Sequence, residues 1–353
     1  MRITFLTPHV DISGGVRIIL GYASRLADRG HEVTVICPES ALTKVTIRGR
    51  KIRTFLPKRF FLNLVKHKPR WVDVAAKIKY VPSWGERHIP DGDVIIATAW
   101  ETAPYVKDYP SKKGRKFYLI QHYETLYHAG NNREEADETY RFPLKKIVVS
   151  TWLNRTMREK FNSDSVIIVN PIDLSQFCPT GKEYGSKRKV CMLHHTYNWK
   201  GTHDGITAFK MAKKKYPDLQ LVMFGTYVKK VRFDCTYYYK PCGNMLREIY
   251  NSCDIFLCPS WREGFGLPAV EAMACKCALV TTDNGGCWDY AIHEKTALVS
   301  PPKNPEQLGQ NLIRLLENEG LLRTIGQNGY EYVKQFTWNK AVGKMEEVFR
   351  GDV

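Results

Sequence analysis

The stretch Asp254-Ile255-Phe256-Leu257-Cys258-Pro259-Ser260-Trp261-Arg262-Glu263-Gly264-Phe265-Gly266-Leu267-Pro268-Ala269-Val270-Glu271-Ala272-Met273-Ala274-Cys275 decides how the rest of the chain is read. Its apolar opening has the length and continuity of a buried parallel strand. A loop with Gly264 and Gly266 follows. Pro268 suits the first turn of a helix, where its missing N–H costs nothing. The first amides of such a helix have no helical partner and, with the dipole, form a seat for a diphosphate. Glu263 and Glu271 flank that seat. A carboxylate accepts hydrogen bonds from hydroxyls and repels phosphate. The order is therefore hydroxyl, diphosphate, hydroxyl, which is the layout of a nucleotide-diphospho-sugar. The bland alternative is a strand–helix crossover with an early acid placed for dipole reasons. It leaves the coincidence of two glycines, a proline and two acids without a cause.

Working outward, residues 278–282 are a further strand, ending in Asp283-Asn284-Gly285-Gly286. Residues 189–193 are a strand that runs into His194-His195-Thr196-Tyr197-Asn198-Trp199-Lys200-Gly201. Residues 219–224 form another, 240–250 an amphipathic segment, and 308–316 and 320–336 surface helices. At the start of the chain, residues 2–7 are a strand, 11–15 a glycine turn and 31–37 the next strand. Between them Val16, Ile19, Leu20, Ala23, Leu26 and Ala27 recur at helical spacing, and Gly30 ends the run. Strand, glycine turn, helix and strand make one Rossmann-like unit. Gly14 and Gly15 allow a ligand close to the backbone at a helix N-terminus. Residues 94–98, 117–120, 146–150 and 166–169 complete this half as strands. Gln121-His122-Tyr123-Glu124 stands at the carboxyl end of one of them, where ligands of open α/β sheets gather.

The chain has 353 residues, enough for two domains, with 43% hydrophobic and 25% charged residues, as in globular proteins. It has no apolar run of the ~18 residues that a spanning helix needs. The N-terminus enters a strand directly, without a signal-peptide layout, so a cytoplasmic location is expected. The ten cysteines lack zinc spacing and read as buried thiols. The net charge of +17 favours anionic partners. Much of it lies in residues 44–80, where Phe55, Phe60, Phe61 and Trp71 interleave with lysines and arginines. That pattern predicts either a solvated basic face or docking on an anionic membrane surface. No nucleic-acid motif accompanies it, so nucleic acid is not expected as a partner. The first strand is not followed by Gly-x-Gly-x-x-Gly, which argues against a nicotinamide dinucleotide.

Residues 263–271 resemble the Glu-x7-Glu motif of the retaining GT-B glycosyltransferases of the large family 4 type. The resemblance extends more weakly over nearly the whole chain. It implies an α/β GT-B fold, two Rossmann-like domains facing each other across a cleft. Residues 1–172 would be the acceptor-side domain, 173–187 a linker and 188–337 the nucleotide-sugar-binding domain. Residues 338–353 would pack back on the first domain. It also implies a hexosyltransferase that keeps the anomeric configuration. The enzyme would move a hexose or deoxyhexose from a nucleotide sugar donor to a glycan or lipid-linked acceptor, with no metal and no cofactor, in cell-surface polysaccharide biosynthesis. Carried over residue by residue, Glu263, Gly264, Phe265 and His122 face the donor sugar, and Glu271 the ribose. The diphosphate falls to Lys200, Gly14, Gly15, Gly264, Phe265, Gly266 and Leu267. His122, Glu263 and Lys200 are the catalytic set. The family's arginine before Lys200 falls here on His194 or His195, each mostly neutral at pH 7 unless its surroundings shift it. Arg262 is the candidate to restore that charge, and Glu124 is an acceptor-side candidate. Asp91-Gly92-Asp93 has the form of the metal motif of the other glycosyltransferase fold, but its place after Pro90 at a strand entry reads as a turn. If the basic aromatic stretch at 44–80 docks on anionic lipid, it would put the protein on the inner face of the plasma membrane as a peripheral enzyme. Two rivals are carried: a nucleotide-sugar epimerase of the same fold, and an inactive GT-B-like module that binds a membrane or partner.

Overall fold

The computed structural model describes residues 1–38, 45–47, 50–52, 68–69, 71–127, 131–181, 184, 189–227 and 233–352. The chain divides into two compact units. The first comprises Met1–Val149, Asn154–Ile168 and Val342–Val353, the second Ser150–Leu153 and Val169–Ala341.

The first unit is built on β1 (Arg2–Leu6), β2 (Glu32–Pro38), a small hairpin of β3 (Val45–Ile47) and β4 (Arg50–Ile52), β5 (Lys77–Val81), β6 (Val94–Ala97), β7 (Arg115–Ile120), β8 (Lys145–Val148) and β9 (Ser165–Ile167). Seven of these form a parallel sheet in the order β5-β2-β1-β6-β7-β8-β9. Its central strands are buried along their length, as a sheet covered on both faces requires. The helix Gly14–Asp28 begins at Ser13, whose hydroxyl accepts from the Val16 N–H at 3.2 Å. Gly14 and Gly15 are therefore the first helical residues and not a turn before the helix, because the cap falls one residue ahead of them. The last residues of the chain close onto this unit. Glu346 accepts from Arg29 Nη1 at 2.8 Å and lies 2.7 Å from His31 Nε2, and Phe349 packs edge-on to Phe117.

The second unit carries β10 (Lys189–Leu193), β11 (Gln220–Gly225), β12 (Thr236–Tyr239), β13 (Ile255–Cys258), β14 (Ala278–Thr282) and β15 (Ala297–Ser300) in the order β12-β11-β10-β13-β14-β15, all parallel. The helix Thr202–Lys215 packs on one face with Pro305–Glu317, around Phe209, Met192, Leu308 and Leu312. The main segment of this unit begins at Val169, so Asn170, Pro171 and Ile172 belong to it; the Ile172 N–H donates to the Phe336 carbonyl at 2.8 Å. Of the segment 173–187, expected as a linker, the described residues also pack here. Phe177 is buried against Tyr250, the Asn251 side chain bonds the backbone at Cys178 and Thr180, and the Tyr184 hydroxyl donates to the Lys276 carbonyl. Two aromatics among the turn residues supply the apolar area that keeps the segment down.

The expected basic docking stretch lies mostly outside the described residues, including Phe55, Phe60 and Phe61. Trp71 is described, and its indole N–H is held by the Val10 carbonyl at 3.1 Å. Among the described residues, no helix is long and apolar enough to cross a membrane. Asp91 pairs with Lys113 at 2.7 Å and Asp93 with Arg2 at 3.4 Å, so both acids of the turn serve as local partners of cations.

Candidate active site

In the second unit the chain runs outward from β10 through β11 to β12, then returns to the other side of β10 as β13. The strand order reverses there, between β10 and β13. Such a crossover is where open parallel sheets bind ligands. Residues of both strand ends line an open recess: Leu193 of β10 and Lys200 of the loop after it, and Pro259, Ser260, Glu263 and Gly266 of the loop after β13.

Two glycines hold the loops together. Gly201 has φ +62°, and a Cβ there would lie 2.0 Å from the Pro259 carbonyl oxygen, so only glycine lets the first loop touch the second. Gly266 has φ +99° and caps the helix Leu267–Ala274 without a side-chain hydrogen bond. Its missing Cβ makes room for the Tyr290 hydroxyl, which donates to the Phe265 carbonyl at 2.9 Å. Backbone bonds complete the frame: the Trp261 N–H to the Trp199 carbonyl at 2.6 Å and the Glu263 N–H to the Asn284 carbonyl at 2.9 Å. The Trp261 indole N–H is anchored on Asp204 at 2.6 Å.

On this frame the Lys200 ammonium sits 2.8 Å from each oxygen of Glu263. Their side chains are 14% and 10% exposed. Phe265 turns its ring into the core against Tyr290 and Phe336, so its backbone alone is left for a ligand. Glu271 is 1% exposed, and its Oε2 accepts from the Tyr250 hydroxyl at 3.0 Å.

The histidines that stand where the resemblance expects an arginine are both uncharged at neutral pH. Burial pushes the His194 pKa down, and its Nδ1 lies 3.1 Å from the Tyr237 hydroxyl. Burial, reinforced by the Lys200 charge, lowers His195 to about 4. Arg262 does not replace the missing charge: it is exposed, with its guanidinium folded back on the Trp261 carbonyl at 2.9 Å.

The first unit holds the remaining candidates. Its strand order reverses between β1 and β6, and Gly14 and Gly15 open the helix after β1. His122 follows β7, is buried, donates from Nδ1 to the Tyr123 carbonyl at 3.2 Å and packs on Tyr127. Glu124, expected as an acceptor-side group, instead turns inward. Its Oε2 accepts from the Trp100 N–H at 2.7 Å and lies 3.3 Å from the Tyr118 hydroxyl. Burial and the nearby Glu101 raise its pKa to about 8. It braces the loop after β6 because Trp100 offers an amide that the sheet does not use.

The sequence reading passed over Ser260, which lines the recess and was findable from its position just past a strand's carboxyl end. It singled out the glycine turn at 283–286 as a strand end that could line the sugar pocket, but not that the Asn284 carbonyl fixes Glu263, since that role is a main-chain one.

The family model described as "Glycosyl transferases group 1" matches residues 179–332. The match lies within the second unit and covers less than half of the chain. An uncharacterized glycosyltransferase of Methanocaldococcus jannaschii is 37% identical over 97 residues, 28% of each chain. The chain spans from about a quarter to rather more than half of the length of the curated relatives it matches. Among solved structures, sucrose-phosphate synthase of Thermosynechococcus elongatus superposes with a TM-score of 0.77 at 17% identity, covering 99% of this chain and 98% of that one. HepE of Anabaena in complex with UDP-glucose gives 0.74 at 16% identity, covering 99% and 100%. At those identities the likeness is one of fold: two Rossmann-like α/β domains of the GT-B type.

Proposed function

We propose that the protein is a retaining hexosyltransferase. It moves a hexose or deoxyhexose from a nucleotide-diphospho-sugar to a glycan or lipid-linked acceptor without a metal. The observation that carries this is the meeting of Lys200 and Glu263 beside a helix N-terminus that no side chain caps, at the crossover of the sheet that the group 1 family model matches. The UDP-glucose held by the similarly folded HepE supports a nucleotide sugar as the ligand.

In this reading the diphosphate lies against the first amides of the helix Leu267–Ala274 and takes the Lys200 ammonium. Both stabilise the negative charge that grows on the leaving group. Glu263 accepts hydrogen bonds from the sugar hydroxyls. Glu271 serves the ribose, with one oxygen oriented by Tyr250. The bond from the anomeric carbon to the phosphate oxygen breaks as the acceptor oxygen approaches the same face. The departing phosphate takes the acceptor proton, so no side chain has to act as nucleophile.

The test is a panel of nucleotide sugars, scored by the rise in melting temperature and by turnover with a membrane extract as acceptor source. One nucleotide sugar is expected to stabilise the protein and be consumed only when acceptor is present. No stabilisation by any of them would overturn the reading. The neutral histidines favour one rival, a binding module of the same fold; stabilisation without turnover on any acceptor would select it.

A further inference from the structure

We propose that Lys200 and Glu263 exchange partners during turnover: the carboxylate holds the ammonium in the donor-free site, and the sugar hydroxyls of the donor release it to the diphosphate. The inference rests on the donor reading above and adds a preference for loaded donor over spent nucleoside diphosphate.

Lys200 and Glu263 are the only charged side chains among the described residues that line the recess, and their charges cancel. His194 and His195 add no charge, and Arg262 faces away. An incoming diphosphate therefore meets no net positive side chain. The Lys200 ammonium has three N–H donors, and the two oxygens of Glu263 engage it at 2.8 Å each. A nearly buried carboxylate stripped of its cation is costly. Donors that take the place of Lys200 on Glu263 lower that cost and free the ammonium. Sugar hydroxyls are donors and phosphate oxygens are not, so the intact donor satisfies both halves of the pair while a bare nucleoside diphosphate satisfies one.

The exchange needs only side-chain motion. Glu263 is fixed through its own N–H on Asn284, and Lys200 stands next to Gly201, which is locked against Pro259. Once the sugar has been transferred, Glu263 recaptures Lys200 and the spent nucleotide loses its cation. That favours product release, the slow step in many enzymes.

The experiment is a double-mutant cycle by calorimetry on wild type, Glu263→Gln, Lys200→Gln and the double variant. The probes are the diphosphates of the five nucleosides and their common hexose conjugates. Glu263→Gln is expected to bind the preferred nucleoside diphosphate about tenfold more tightly than wild type, as expected when a close charge pair is uncoupled. The gain is expected to vanish in the double variant. A gain that persists without Lys200 is simple relief of repulsion and overturns the exchange, as does no gain at all. If Glu263→Gln does not fold, Lys200→Gln decides: it should lose more affinity for the hexose conjugate than for the bare diphosphate, and equal losses overturn the proposal. A wild type that binds hexose conjugates while the cycle fails leaves the donor reading standing. A wild type that binds no probe overturns both.

Discussion

Each of the two parallel sheets reverses its strand order once, and each reversal has an inward-turned glutamate near it, but the two glutamates are treated differently. Glu124, in the first unit, receives hydrogen bonds from the Trp100 amide and the Tyr118 hydroxyl and has no cation beside it among the described residues. Burial leaves its pKa at about 8, so it is mostly protonated at neutral pH. Glu263, in the second unit, has the Lys200 ammonium on both oxygens and stays paired within a recess. The same topology thus produces a neutral brace in one unit and a compensated charge pair in the other. What separates them is whether a neighbouring strand end supplies a cation. A paired charge inside a recess can be traded for a ligand's groups; a protonated carboxyl locked into the backbone cannot.

The sharpest way to break this comparison is Glu263→Ala. It is expected to lower transfer by a thousandfold or more while the fold persists, since it removes the sugar contact and leaves Lys200 without its partner. Turnover near the wild-type rate in a folded variant would refute the assignment. Next is Gly201→Ala, which tests whether the recess depends on the close approach of its two loops. A Cβ 2.0 Å from a carbonyl oxygen and a left-handed φ are expected to cost about 2–3 kcal/mol, read as a fall in the denaturation midpoint. A midpoint equal to wild type would mean the loops are not held by that contact.

The smallest effect is expected at Glu124. Its folded pKa lies above the ordinary carboxyl value, so the native state binds more protons than the unfolded state between about pH 4.5 and 8. Its contribution is complete below that window and is lost as pH rises through it. Glu124→Gln removes this loss, so the variant should match wild type near pH 4 and gain on it steadily up to pH 8. Melting curves across that range check it, and parallel curves would mean the carboxyl ionises freely in the folded protein.

Much of the architecture is legible from local pattern. The central strands are continuous apolar runs because both their faces are covered, and the helix after β1 shows its period plainly. The strands that escaped notice are the small hairpin β3–β4 and three strands at sheet edges, β5, β12 and β15. An edge strand buries less of itself, so Lys77 and Lys79 alternate with apolar residues in β5, and β12 reads as a row of half-exposed tyrosines. The residues around Phe177 and Tyr184 look like a linker because turn residues dominate them, while two aromatics decide where they pack.

The alternation of strand and helix, the glycine loop and the two acids around it follow from residues near one another in the chain, because backbone propensity and burial act over a few residues at a time. The pairing of Lys200 with Glu263 does not: the two are 63 positions apart. They meet because the sheet sets the ends of β10 and β13 side by side and because Gly201 lets the loops touch. Sheet order and contact distance are properties of the folded chain, and no local pattern encodes them.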